Sequence, residues 1–369
     1  MKKRKITIYS DISYFDYQHV NQMLFRFLSK NKDNDVVFLQ RFVMNGIKSY
    51  YFFRFLKRFF HSCVNLFIIK ESGVKSLKID NNSIRNVVNV PPQNFILDYI
   101  NKLLIFFQRR NIPLNGTVIT FLPSKALEST FNKYDDIVYY CVHDSEMQSY
   151  HRRNIDFERI LVEKSKFVFC DNIDVLKKLS GSNEIQSIID NKKSDTKFYL
   201  VPPPVPREFY KKINVIKEYD FVYFGSIHKD IDIDFLNKLS LSNNLLVISY
   251  QMFNLIPGAK VTFTQGTSDL SLLVSCLHKA RAIILPYTNS AFMDTISPAK
   301  LNQSIATGLP VYCTNKKLAR EYNLNFIDEE LISTIDLNDS SRECKNEYDI
   351  NLFNEDYILG KIANIIENK

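Results

Sequence analysis

The chain has 369 residues, of which 45% are hydrophobic and 24% charged, an ordinary balance for a globular protein of about two domains. It contains no apolar run of about 18 residues, so we expect no transmembrane helix. The net charge of +8 comes from the first half of the chain, whereas the second half is close to neutral. We therefore expect the first half to face an anionic membrane surface or an acidic sugar. No zinc-finger or RNA-binding signature occurs, so we expect no nucleic acid.

The cysteines are typical of a protein in a reducing compartment. Six of them are scattered along the chain without CxxC spacing, most of them in apolar runs. The histidines form no cluster with ligand spacing, so we expect neither disulfides nor a metal site. Asp11 and Asp16 interrupt any signal-peptide core, and we expect a cytoplasmic protein.

Short apolar strands alternate with amphipathic helices through the first half. We predict strands at 5–9, 36–39, 86–90, 116–122, 137–142, 167–170 and 198–201, and helices at 17–28 and 157–165. Strand, helix and strand with short connections indicate a doubly wound α/β sheet. The segment PPPVP at 202–206 is a stiff, extended crossover, so we end an N-terminal domain, 1–202, at this point.

One segment of the first half, 48–62, is dense in aromatic residues. Arg54, Lys57 and Arg58 recur there at three- and four-residue steps. A helix of this composition lies in a membrane interface or packs on a core with a basic outer edge, and the residues leave both interpretations open. The segment 102–110 repeats the apolar and basic character, which favours the membrane.

The α/β pattern restarts after the prolines. We predict strands at 220–224, 245–250, 261–264, 282–285 and 311–313, and helices at 231–239, 270–279 and 356–367. These elements define a C-terminal domain, 203–350, followed by a terminal segment, 351–369, whose helix could pack back on the first domain.

The stretch from 281 to 314 organises the second half. Its strand ends at Pro286, and Ser297 is predicted to cap a helix whose first residue is Pro298. Leu301, Ile305 and Ala306 share one face of this helix, and a glycine and a proline end it.

The start of this helix has the groups that an anionic ligand needs. A helix N-terminus offers free backbone N–H groups and a positive dipole end, and Lys300 adds a charge within the first turn. Gln303 lies one turn further along the same face, where an amide can bridge ribose hydroxyls. This arrangement suits a nucleotide diphosphate, although an ordinary crossover with a solvated lysine has the same spacing.

The stretch resembles the donor-nucleotide motif of GT-B glycosyltransferases, and among them it is most similar to the bacterial xanthan-type, inverting glucuronosyltransferases. The matching residues are Ala280-Arg281, Pro286-Tyr287, Lys300, Gln303 and Gly308-Leu309-Pro310, together with the Gly225-Ser226 turn after a strand. Retaining relatives carry glutamates where this chain has Gln303 and Thr295, which favours the inverting branch. Thr267 stands where the family has a glutamate near the base, which is a further departure.

The resemblance implies a GT-B fold, that is, α/β with two Rossmann-like domains whose parallel sheets face an interdomain cleft. It implies an acceptor-binding first domain and a nucleotide-sugar-binding second domain. The binding residues that it implies are Gly225, Ser226, Thr267, Tyr287, Ser297, Ala299, Lys300 and Gln303.

The implied reaction is the inverting transfer of a sugar, such as glucuronate, from a UDP-sugar to a lipid-linked saccharide acceptor. Such a step belongs to capsule or exopolysaccharide synthesis. No cofactor or metal is implied, because Lys300 and the helix dipole can stabilise the leaving diphosphate. We expect a peripheral location on the inner face of the cell membrane, with Arg54, Lys57 and Arg58 on the membrane or acceptor surface.

Inverting transfer requires a base for the acceptor hydroxyl. The segment VYYCVHD, 138–144, resembles the family strand that ends in the catalytic aspartate, which makes Asp144 the expected base and His143 an auxiliary residue. On the residues alone, Asp144 also suits a helix N-cap. Asp11 and Asp16 are lesser candidates.

Three alternatives remain open at this point. A retaining GT-B enzyme would use the same fold with another nucleotide sugar. A UDP-sugar 2-epimerase also shares the fold but needs several acids and histidines in the cleft. A sugar-nucleotide-binding scaffold would keep Lys300 without needing Asp144.

Overall fold

A computed structural model describes residues 3–14, 19–43, 83–90, 94–125, 128–147, 152–181, 184–190, 196–293, 296–335, 337 and 350–368. The chain divides into two compact units, the first formed by Met1–Val201 with Leu359–Lys369 and the second by Pro202–Ile358. The predicted interfacial helix with Arg54, Lys57 and Arg58 lies outside the described residues, as do Asp16 and Thr295.

The first unit contains eight described strands: β1 (Arg4–Ser10), β2 (Asn34–Val43), β3 (Ile84–Asn89), β4 (Thr117–Thr120), β5 (Asp136–Cys141), β6 (Phe167–Cys170), β7 (Gln186–Ser187) and β8 (Phe198–Leu200). Its helices are α1 (Val20–Ser29), α2 (Phe95–Gln108), α3 (Glu128–Phe131), α4 (Arg152–Lys164) and α5 (Ile173–Ser180). The strands pair in parallel in the order β3-β2-β1-β4-β5-β6-β8-β7. Chain order reverses between β1 and β4.

The second unit contains β9 (Tyr219–Phe224), β10 (Leu245–Ser249), β11 (Val261–Gln265), β12 (Ala280–Leu285), β13 (Val311–Cys313) and β14 (Asn325–Phe326). The helices between and after them are α6 (Ile233–Ser242), α7 (Leu270–Leu277), α8 (Ala299–Ala306), α9 (Lys316–Glu321) and α10 (Glu355–Asn368), of which Leu359 onward belongs to the first unit. The strand order is β11-β10-β9-β12-β13-β14, again parallel, with the reversal between β9 and β12.

Burial explains why the central strands are continuous apolar runs. In β5 and β10 the side chains on both faces are buried, because helices cover both sides of a parallel sheet. The second unit packs its core around Phe221, Val247 and Ile283, which are inaccessible to solvent. The predicted α/β architecture with two parallel sheets is confirmed.

Element boundaries differ from the predicted ones where a local feature intervenes. The first helix was predicted from residue 17, but α1 begins at Val20, because His19 and Gln22 form a capping box at that point. The strand predicted at 116–122 is limited to β4, because Gly116 has a φ of +75° and lies against the Lys5 carbonyl. The helix predicted from 157 begins at Arg152.

The terminal helix α10 contributes its second half to the first unit. Glu367 forms an ion pair with Arg4 at 3.3 Å and accepts a hydrogen bond from the Asn34 amide at 2.9 Å. Within the described part of the chain, no helix combines the length and apolar character needed to cross a bilayer.

Candidate functional site

The second unit has a topological switch point between β9 and β12. The chain runs from β9 outward through β10 and β11, then returns to the other side of β9 to form β12. The loops after β9 and β12 therefore diverge and leave a crevice at the carboxyl edge, which is where open α/β sheets bind ligands. A bridge between Ile231 and Tyr287 and a hydrogen bond from the Thr288 N–H to the Asp230 carbonyl, 3.0 Å, hold the two loops together.

Lys300 reaches across this edge and lies against Gly225. A Cβ placed on Gly225 would overlap both Nζ and Cε of Lys300, so with any other residue the lysine would have to move. Gly225 also has a φ of +127°, a conformation that side-chain-bearing residues rarely adopt. The end of β9 and the start of α8 are thus fitted to each other through these two residues.

Lys300 is half-buried. Its ammonium group lies 5.9 Å from the centroid of the Tyr223 ring, and burial lowers the pKa of the lysine to about 8. Among the described residues, Lys300 has no salt bridge and no hydrogen bond from Nζ. A partly buried cation with no described counter-ion is suited to bind an anion.

The start of α8 corrects one prediction. Pro298, and not Ser297, occupies the N-cap position, and no side chain caps the helix. The ring of Pro298 holds φ at −63° while ψ stays extended at 120°, so the first helical residue is Ala299. Ser297 is half-buried just outside the helix, and Ala299 is exposed, with the first free N–H groups of α8 at this end.

His228 is a residue that the sequence analysis missed. Its Nδ1 lies 3.3 Å from the Asp230 backbone nitrogen and 3.5 Å from the Asp230 carboxylate. Burial and the nearby Lys300 lower the pKa of His228, and Asp230 opposes the shift. The signal was the segment IHKD, which follows the Gly225-Ser226 turn.

The remaining predicted binding residues divide into two groups. Ser226 is exposed and Gln303 half-buried, and no hydrogen bond of the Gln303 amide is found within the described ranges. Tyr287 is only 5% exposed, and its carbonyl accepts a hydrogen bond from the Thr314 hydroxyl at 2.7 Å. The Tyr287 ring is thus part of the core that joins the two loops. Thr267 accepts the Asp269 N–H at 3.0 Å and shapes the turn before α7.

Tyr250 is a second residue that the sequence analysis missed. It follows β10, is 50% exposed, and its ring lies against Gly266, where an added Cβ would overlap the ring. The carboxyl ends of β10 and β11 therefore present an aromatic face about 5 Å, one strand spacing, from the end of β9. An exposed ring of this kind is suited to stacking on a planar base.

In the first unit, the predicted base Asp144 is engaged. Its Oδ1 accepts the backbone N–H groups of Glu146, at 2.9 Å, and Met147, at 3.3 Å, as a turn-capping aspartate does. Lys178 of α5 donates to both carboxylate oxygens, at 3.1 and 3.0 Å, and also pairs with Glu146. The side chain of Asp144 is 9% exposed. Asp144 therefore caps a turn at 145–147 and pairs with a lysine, and neither a helix cap nor a free carboxylate is found at this position within the described residues.

The side chain of His143 lies near a different set of residues, Asp11 and His19. Its Nδ1 is buried and has no hydrogen-bond partner in the described part of the chain. Burial lowers the pKa of His143, His19 lowers it further, and Asp11 opposes the shift. These three residues come from the ends of β1 and β5 and the start of α1, so they gather at the carboxyl edge of the first sheet.

A buried carboxyl lies behind Asp144. Glu158 of α4 is 8% exposed and accepts hydrogen bonds from the Tyr139 hydroxyl and, at 2.8 Å, from the Ser145 hydroxyl. Burial raises the pKa of Glu158, and the negative charge of Asp144 adds to this effect. The sequence analysis missed Glu158, because it faces the core from an otherwise polar helix. No group of three or more His, Cys, Asp or Glu residues in the described ranges could hold a metal ion.

Solved structures share this fold across the whole chain. The apo structure of OtsA aligns with a TM-score of 0.58 and 9% identity, covering 99% of each chain. A mutant of S. aureus TarM, bound to fondaparinux, alpha-GlcNAc-glycerol and UDP, aligns at 0.57 and 10% identity, covering 99% of this chain and all of that one. Arabidopsis thaliana UGT89C1, complexed with UDP-L-rhamnose, gives 0.53 and 9% identity with coverage of 99% and 100%. No family model and no curated protein sequence matches the chain.

These neighbours are GT-B fold glycosyltransferases, and the chain has the GT-B fold. The fold implied by the sequence resemblance is therefore confirmed. The similarity to the xanthan-type glucuronosyltransferases remains a prediction.

The fit between Gly225 and Lys300 can be tested by adding one methyl group. We expect Gly225→Ala to lower the free energy of unfolding by roughly 2 kcal/mol or more, because the new Cβ overlaps Lys300 and occupies a strained backbone conformation. Gly181→Ala is the matched control: Gly181 also has a positive φ, +62°, but nothing lies within 4 Å of the added Cβ. Urea denaturation should show the larger loss for Gly225→Ala, and equal losses would contradict the close fit.

Proposed function

We propose that the protein is a glycosyltransferase that uses a UDP-sugar as donor. One observation carries the proposal: a half-buried lysine with no described counter-ion lies at the start of α8, over the end of β9, at the switch point of the sheet. The ligands bound in similar structures support it, because TarM was solved with UDP and UGT89C1 with UDP-L-rhamnose.

Each part of the donor has a proposed partner in the second unit. Lys300 and the first N–H groups of α8 bind the diphosphate, and the space beside Gly225 lets it approach the backbone. His228 binds the same phosphates through its imidazole. Gln303 binds the ribose hydroxyls, one turn further along α8. Tyr250 stacks on the uracil at the carboxyl ends of β10 and β11, where Thr267 was the residue expected near the base.

The chemical step needs charge stabilisation at the leaving UDP. Lys300 and the dipole of α8 supply positive charge where the diphosphate oxygens become more negative, which favours departure of UDP without a metal ion. We propose inversion, with UDP-glucuronate as a possible donor, on the motif resemblance together with Gln303 in place of a glutamate.

The first unit is proposed to bind the acceptor. Its basic character favours an anionic acceptor, and a lipid-linked saccharide at the inner face of the cell membrane fits that requirement. The protein would then act in capsule or exopolysaccharide synthesis as a peripheral membrane enzyme, with Arg54, Lys57 and Arg58 as predicted contacts of the surface.

The contacts of the two candidate bases favour His143 over Asp144. Asp144 is occupied by Lys178 and by the turn that it caps, whereas the imidazole of His143 has no described hydrogen-bond partner. Because Nδ1 of His143 is buried, Nε2 is the atom that we propose takes the proton. A lowered pKa keeps His143 neutral at pH 7, the form that accepts a proton from an attacking hydroxyl. We therefore propose His143 as the base and Asp144 as the residue that fixes the turn holding it.

Lys300→Ala tests the phosphate contact. It removes a charge-assisted interaction of roughly 1.5–3 kcal/mol, so UDP should bind at least about tenfold more weakly. Gln303→Ala should cost less, since only a neutral hydrogen bond to the ribose is lost. Lys316→Ala, an exposed lysine of the same unit, is the control. Calorimetry that finds wild-type UDP affinity in a folded Lys300→Ala protein would remove Lys300 from the phosphate site.

The pKa of Lys300 predicts how UDP binding depends on pH. Since this pKa is about 8, the ammonium form is lost as the pH rises from 7 to 9, and UDP affinity should fall over that interval. Stability should change in the opposite direction. The unfolded chain keeps its lysine proton up to about pH 10.4, so the unfolded state binds more protons between pH 8 and 10, and the free energy of unfolding should rise there.

Lys300→Arg serves as the comparison, because arginine stays charged throughout this range. Any UDP binding that the arginine variant retains should be independent of pH between 7 and 9. A wild-type affinity that stays constant to pH 9 would show that Lys300 is not the titrating contact.

Two substitutions distinguish His143 from Asp144 as the base. His143→Asn should lower the transfer rate by about 10²–10⁴ with unchanged UDP affinity, because it removes the proton acceptor. Asp144→Asn keeps the turn-capping oxygen and should lose only the half-exposed ion pair, with a rate within a few-fold of wild type. Transfer abolished by Asp144→Asn but not by His143→Asn would restore the carboxylate as the base.

Incubation with radiolabelled UDP-sugars and a membrane lipid extract tests the function itself. Label that enters lipid indicates a transferase. Interconversion of the sugar without transfer would indicate an epimerase, and UDP-sugar binding with neither product would indicate a scaffold.

A further inference from the structure

Helix α2 lies against the edge of the first sheet with its polar side inward. Strand β3 is the last strand at one edge of the sheet, so its outer backbone groups have no strand partner among the described residues. The side chain of Gln108 accepts the Val88 N–H at 2.8 Å and donates to the Val88 carbonyl at 3.0 Å. Asn101 makes the same pair of bonds with Val90, at 2.8 and 3.0 Å. Two buried amides therefore hold α2 on the sheet edge.

Because its polar side chains face inward, α2 exposes large apolar side chains. At 100° per residue the exposed positions fall within an arc of about 120° on one side of the helix. The outer face consists of Phe95 (77% exposed), Ile96 (55%), Tyr99 (63%), Leu103 (42%), Phe106 (56%) and Phe107 (67%). Single exposed apolar residues are common, but six on one helix form a continuous patch of the kind that binds a partner.

The charges beside this outer face are all positive. Lys102, Arg109 and Arg110 are exposed on the helix and at its end. The guanidinium of Arg109 lies 4.7 Å from the centroid of the Phe106 ring, so the charge sits over an aromatic side chain. The one acid of the helix, Asp98, forms an ion pair with Arg153 of α4, which leaves no described negative charge on the outer face.

We propose that the outer face of α2 binds the surface of an anionic lipid bilayer. A helix with a flat apolar side enters the headgroup boundary, and lysines and arginines beside it pair with anionic headgroups while their alkyl chains stay among the apolar residues. A neutral protein partner would cover the phenylalanines but leave the three cations without counter-ions.

The inference rests on the proposed function for its partner, because the membrane is where a lipid-linked acceptor would lie. The surface itself rests on exposure and charge in α2. It assigns the membrane contact to described residues, independently of the predicted helix at 48–62.

Vesicle flotation of the full-length protein tests the surface. The wild type should float with phosphatidylcholine vesicles that contain phosphatidylglycerol and stay behind with pure phosphatidylcholine. In the double variant Lys102→Glu/Arg110→Glu, binding should fall at least about 25-fold, since each basic residue near an anionic surface contributes about fivefold. Phe106→Ser/Phe107→Ser should lower it about tenfold or more, because two rings leave the interface.

Matched controls carry the same changes elsewhere. Lys32→Glu/Lys133→Glu reverses two exposed charges of the first unit, and Ile216→Ser/Met252→Ser removes apolar side chains that are 85% and 75% exposed. Both should float like the wild type. UDP affinity and circular dichroism should be unchanged in every variant.

Several results would overturn the inference. One is no flotation of the wild type with anionic vesicles, and another is equal flotation of the α2 and control variants. A wild-type dimer that the phenylalanine variant dissociates, with flotation unchanged, would assign the face to self-association. If the wild type does not bind UDP, the proposed function is rejected instead. A positive flotation result would then still support the membrane-binding face of α2.

Discussion

The close approach of Lys300 to Gly225 is the constraint on which the candidate donor site depends. The side chain of Lys300, at the start of α8, occupies the space that a Cβ on Gly225 would fill. Burial lowers the pKa of this lysine, and the cation has no described counter-ion. An unpaired, partly buried cation is energetically unfavourable, and binding of an anion would offset that cost.

The two units use the carboxyl edges of their sheets differently. In the second unit, Lys300, the first N–H groups of α8 and the exposed ring of Tyr250 lie at this edge. In the first unit His143 and Asp144, although adjacent in sequence, have different neighbours. One approaches Asp11 and His19, and the other binds Lys178 and its own turn. The proposed division into donor and acceptor units follows from this difference in charge.

Much of the fold could be predicted from sequence periodicity, because buried parallel strands are apolar on both faces and cannot be mistaken for exposed loops. The position of Lys300 was also predictable, since a strand, a proline and a helix start define it locally. Contacts between distant segments were not. The overlap of Gly225 with Lys300, the hydrogen bond of His228 to the Asp230 backbone and the engagement of Asp144 by Lys178 depend on where loops meet. Sequence periodicity did not predict helix α2, because its buried side carries polar side chains and its exposed side is apolar.

A structure determined with UDP bound tests the central claim most directly. The account predicts that the diphosphate lies at the start of α8, with a phosphate oxygen about 2.7–2.9 Å from Lys300 Nζ and the ribose toward Gln303. A nucleotide bound away from the ends of β9 and β12, with Lys300 still unpaired, would contradict it.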